Sequence, residues 1–148
     1  MEEPSTSRLM DVLKSAGSTD LSEYEHTYLT KGCRSFPAYM DALISGKHLK
    51  RQDIFQKADV PQKYGYKLLT GESHTTDRDK LLRIFFAMEM DLKEVQRALA
   101  LYPMPVLYPK NRRDAVMIIA INRRVHSVDE VNELLAAQGE EPLRRSPD

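Results

Sequence analysis

The chain has 148 residues, 41% hydrophobic and 30% charged, with no Trp, one Cys, and 22 basic residues balancing 22 acidic ones. That length can bury a core without disulfides or metal, and the composition excludes an intrinsically disordered chain. A formal net charge of zero argues against a polyelectrolyte that coats nucleic acid, while leaving room for one local basic face.

Leu, Met, Ala, Glu and Lys dominate, and no stretch alternates apolar and polar residues long enough for a strand, so the expectation is an all-α protein. Leu9, Val12 and Leu13 form the stripe of a first helix, ended by Gly17-Ser18. Asp20 caps a second helix with Leu21, Tyr24, Tyr28 and Leu29, stopped by Lys31-Gly32. Phe36, Tyr39, Met40, Leu43 and Ile44 form a third stripe, ended by Ser45-Gly46. Arg51 to Gly71 reads as two short helices joined by a tight turn. Gly71 to Thr76 is a polar loop, and Asp77 or Thr76 caps a helix through Leu81, Leu82, Phe85, Phe86 and Met88. Asp91 with Glu94 forms a capping box ahead of a helix whose apolar face is Leu92, Val95, Ala98 and Leu99.

Tyr102 to Pro109, YPMPVLYP, holds three prolines and is expected to be extended. A C-terminal helical pair follows. Its first helix runs from about Arg112 to Arg124, and its second from Ser127, with Glu130 in capping-box position, to Gly139. The tail EEPLRRSPD is expected to fray. The expected division is N-terminal helices 1–34, a helix-turn-helix core 35–101, a Pro-rich connector 102–110, the C-terminal pair 111–139 and the tail 140–148.

In the Arg51–Gly71 segment, Ile54, Phe55, Ala58, Val60 and Leu68 supply one core. Asp59 falls at the turn, where positive φ is common and Asp is tolerated, and Pro61 suits the opening of the second helix. Two helices that cross steeply need a small residue where their backbones approach, which assigns that role to Gly65.

With these residues in place, His48 to Leu101 resembles the lambda-repressor-like, Cro/C1-type or XRE-like helix-turn-helix regulators. The resemblance rests on Ile54-Phe55, Asp59-Val60, Leu68, Gly71 and Leu81-Leu82-x-Ile84. The segments YPKNRRDAV and SVDEVNELL are similar to longer bacterial members with an appended C-terminal helical pair. The chain departs from the family by Phe55 where Ala is usual, Asp59 where Gly is usual, and Gly65 where a β-branched residue is usual. The first and third read as a size exchange that keeps the packed volume constant.

The resemblance implies that the second helix enters the major groove of double-stranded DNA. Gln62, Lys63, Tyr66, Lys67 and Thr70 lie opposite Leu68 and would face the DNA, with Gln suited to adenine and Lys to guanine. Arg51 is placed for a phosphate contact, and Lys50, His74 and Thr75 for further backbone contacts. A half-site reader implies a homodimer. The alternative is a protein partner, with the same fold used as a signalling or antitoxin-like adaptor. Seven basic against five acidic residues between Lys50 and Lys80 also describe an ordinary solvated surface, and Tyr64 and Tyr66 suit a protein contact.

Nothing points to an enzyme. No catalytic triad spacing, P-loop or dinucleotide turn is present, and no cofactor is expected. His26, His48, His74 and His126 share no helix face, so no metal is expected, and Cys33 reads as inert. Lys110, Arg112 and Arg113, with Arg123-Arg124, read as bounds of an apolar helix rather than as an anion site, with Asp114, Glu130 or Glu133 as partners. The longest uncharged apolar run, Ala115 to Ile121, is too short to span a bilayer, and MEEPSTSRLMDVL is no signal peptide. A reducing cytoplasm without membrane contact is the expected location.

Overall fold

A computed structural model of the chain describes residues 34–145. The two helices expected around Leu9 and Tyr24, with His26 and Cys33, lie outside the described residues. The described residues form seven α-helices and no strand: α1 (Phe36–Gly46), α2 (Arg51–Ala58), α3 (Gln62–Thr70), α4 (Arg78–Ala87), α5 (Leu92–Leu101), α6 (Arg112–Asn122) and α7 (Val128–Ala137). The all-α expectation holds over this span.

Short polar side chains start most of these helices by accepting orphan backbone N–H groups. Ser35 accepts from Ala38, Asp77 from Asp79, Asn111 from Asp114, and Ser127 from Glu130. Asp91 and Glu94 form the reciprocal capping box expected for α5. Four connections share one ending. His48, Asp59, Glu89 and Arg124 all have positive φ, between 53° and 59°. An apolar residue follows each and donates its N–H five residues back: Leu49 to Ile44, Val60 to Phe55, Met90 to Phe85, and Val125 to Ala120. This is the Schellman closure, in which the apolar residue tucks against the helix it has left. Only Asp59 was legible beforehand, because its residue type tolerates αL.

Helix α4 lies at the centre. Every residue from Leu81 to Met88 is buried, including Arg83. A helix buried this fully needs partners on several sides, and α4 packs against α2 and α7 while α1 packs against α3 and α5. Segment 104–108 is non-helical, with Pro105 inside it and Pro103 and Pro109 flanking it. It is also packed: Leu107 is buried, and its N–H and C=O both bond the Gln96 side-chain amide at 2.8 Å. The C-terminal pair joins the same cluster through Met117, Ala120, Ile121, Val131 and Leu135, and the tail through Leu143.

Two buried carboxylates fasten α6 to α4. Asp79 accepts both arms of Arg113 at 2.9 Å, and Asp114 takes Arg78 and the Tyr108 N–H. Arg113 therefore pairs across the fold, not with Asp114, Glu130 or Glu133. The expectation of a frayed tail is corrected over residues 140–145. Leu143 is 1% exposed, and Arg83, Arg113 and Asp79 bond the backbone of Glu141, Pro142, Leu143 and Arg144.

Candidate nucleic-acid interface

The α2–α3 pair is built on one close contact. A Cβ added to Gly65 would lie 2.5 Å from Cδ1 and 2.6 Å from Cε1 of Phe55. The Phe55 ring is 1% exposed and occupies the space that a side chain at 65 would need. The two unusual residues are thus a single packing solution, as their pairing in the sequence suggested. Ile54, Ala58, Val60 and Leu68 are buried with them. Asp59 closes α2 in the left-handed conformation (φ 53°, ψ 50°), and Pro61 stands at the N-cap of α3 with no side-chain cap bond.

This packing turns one face of α3 outward. Gln62, Lys63, Tyr66 and Thr70 are exposed and Lys67 is half-buried, while Gly65, Leu68 and Leu69 face the core. Tyr66 is 51% exposed, unusually open for so large a ring. Gln62, Lys63 and Lys67 make no side-chain hydrogen bond or ion pair among the described residues. The Thr70 hydroxyl donates to the Lys67 carbonyl at 3.3 Å, within its own helix.

The flanking residues divide. Arg51 lies beside α3, with its guanidinium carbon 5.9 Å from the Tyr66 ring centroid. It also donates to Asp41 Oδ1 at 2.6 Å, so a phosphate at Arg51 would compete with a carboxylate. Lys50 is exposed at the N-cap of α2. His74 is exposed but packs on Tyr102, with ring centroids 5.4 Å apart. Thr75 is structural: its N–H donates to the Tyr102 oxygen at 2.7 Å and its hydroxyl accepts from Asp77 N–H at 3.0 Å. Burial pushes the Tyr102 hydroxyl pKa up. Lys80 also reaches this side, 5.6 Å from the Tyr64 ring.

The structure therefore brings Gln62, Lys63, Tyr66, Lys67 and Arg51 onto or beside one face and sets His74 against Tyr102. Asp41 and Lys80 escaped the sequence reading. Nothing local marks Asp41 as a partner of Arg51 ten residues on.

Among the described residues, no three His, Cys, Asp or Glu side chains gather as metal ligands, and no helix is long and apolar enough to cross a membrane. No family model, curated protein or solved structure matches the chain.

Proposed function

We propose that the chain is a sequence-specific DNA-binding regulator of transcription, with a lambda-repressor-like helix-turn-helix that reads duplex DNA through α3. On this reading it works in the bacterial cytoplasm as a homodimer, with no catalytic step and no cofactor. The observation that carries the proposal is the outward face of α3. Gln62 and Lys63 at its N-terminus, with Tyr66 one turn on, present exposed donors where such helices meet base edges, and the half-buried Lys67 lies beside them. The left-handed Asp59 turn and the Phe55–Gly65 contact support the fold assignment.

The test is salt-dependent retention on duplex DNA. Lys63→Glu with Lys67→Glu should abolish retention at low salt. The single Lys→Ala changes should each lower the salt slope by about 1 if the lysine meets a phosphate. Absence of wild-type retention at low salt, with an intact helical circular dichroism spectrum, refutes the proposal.

One observation favours a second reading, in which α3 binds a protein. Tyr66 lies half-exposed beside Arg51, whose charge Asp41 already offsets. Exposed Tyr and Arg side by side are the residue types that anchor protein interfaces. Coelution of a specific partner that is lost with Tyr66→Ala, without DNA retention, would establish that reading instead.

A further inference from the structure

Residues 140–145 run back from the end of α7 to the turn that carries α3. Leu143 is buried, and its N–H donates to Asn132 Oδ1 at 2.8 Å. The Arg83 guanidinium donates to the Ala58 carbonyl at 3.0 Å and to the Leu143 and Arg144 carbonyls at 2.9 Å each. One buried cation thus holds the last residue of α2 and the tail together. Arg144 donates its N–H to Asp79 at 3.0 Å and forks onto both oxygens of Asp77 at 2.9 Å. Arg145 lies 2.7 Å from Asp59, the left-handed residue of the α2–α3 turn.

These ties differ in strength. The Leu143 and Arg83 contacts are shielded from water, so they anchor the segment. The Arg145–Asp59 pair is 71% and 59% exposed, weak and open to screening by salt. Asp tolerates the left-handed conformation that closes α2, and the Arg145 contact adds a tie from the tail at that residue.

We propose that residues 140–145 form a strap with a firm inner anchor and a releasable tip, which holds the α2–α3 turn and so governs how rigidly α3 is presented. A ligand for α3 rests on the function proposed above. The mechanical role of the strap does not. Anything that draws Arg144 and Arg145 away, such as a polyanion competing with Asp77 and Asp59, loosens α3 without touching it.

Amide hydrogen exchange on the full chain tests this. Arg144→Ala with Arg145→Ala removes the tip while leaving Leu143 and Arg83 in place. Because both arginines are largely exposed, the variant should fold. The Val60 and Gly65 amides, bonded to Phe55 and Pro61, should exchange about fivefold to tenfold faster. The Tyr102 and Arg123 amides, in α5 and α6 contacts, should keep their rates. Asp59→Asn tolerates the left-handed turn and loses only the pair with Arg145, so it should give a smaller change, about twofold, that high salt removes. Unchanged exchange at Val60 and Gly65, or equal acceleration in α5 and α6, overturns the strap. Retention of the same samples on duplex DNA separates the two proposals. Faster exchange with no wild-type DNA retention sustains the strap and refutes the DNA reading, and DNA retention with unchanged exchange does the reverse.

Discussion

Gly65→Ala sets two known effects against each other at one site. Alanine is the better helix former by about 1 kcal/mol, so on a solvent-facing position the change would stabilise. Here the new methyl would stand 2.5 Å from Phe55 Cδ1, 2.6 Å from Cε1 and 3.0 Å from Cγ. Comfortable carbon contacts are about 3.5–4.0 Å, so the ring or the helix must move by about 1 Å. The ring is 1% exposed and lies within the buried core. Overpacking of this kind costs about 1–3 kcal/mol, so the expected net loss is up to about 2 kcal/mol. For a chain of this size that lowers Tm by about 2–4 °C per kcal/mol. Urea unfolding followed by circular dichroism should show a lower midpoint at unchanged slope. The same substitution should be neutral or stabilising once Phe55→Leu has opened the space, with a coupling of about 1–3 kcal/mol between the positions. A more stable Gly65→Ala in the wild-type background, or strict additivity in the double-mutant cycle, refutes the size-exchange account.

Asp79→Ala should cost about 3–5 kcal/mol in chemical denaturation, because it removes the buried carboxylate that pairs with Arg113 and accepts the Arg144 N–H. The Arg144 fork holds the Asp77 carboxyl below its usual 3.8. That contribution is complete above about pH 4 and lost as pH falls through the lowered folded value, so Asp77→Asn should flatten the acid limb of a stability–pH curve. Arg124→Gly should add up to about 1 kcal/mol by relieving a left-handed arginine at φ 59° whose side chain is exposed, read as a raised Tm. Asp91→Ala should cost about 1 kcal/mol through loss of the capping box, with amide exchange fastest in the first turn of α5.

The features legible in the sequence act over a few residues. The stripes of α1, α4 and α5 follow from helical periodicity. The caps at Asp77, Asp91 and Ser127 follow from short acceptors placed next to apolar runs. Asp59 followed from the tolerance of its residue type for left-handed backbone. The Phe55–Gly65 exchange reached furthest, and it was visible because both residues are exceptional for one known pattern. The helix ends at His48, Glu89 and Arg124 carried only a faint signal, a polar residue before an apolar one, which many exposed turns share.

Tertiary structure decided which charges belong to the surface. In sequence Arg83 and Asp79 are ordinary polar positions on an amphipathic helix, and EEPLRRSPD is a solvated tail with a single leucine. In the fold Arg83 binds carbonyls 60 and 61 residues away, and Arg144 reaches Asp77 across 67 residues. Burying an ion requires partners, and those partners are assembled only when the C-terminal pair packs on α4. The same holds for Arg51, beside which α1 places Asp41. Local sequence thus set where the helices begin, turn and bury their faces, while contacts between distant segments determined which ionic groups remain exposed for a ligand.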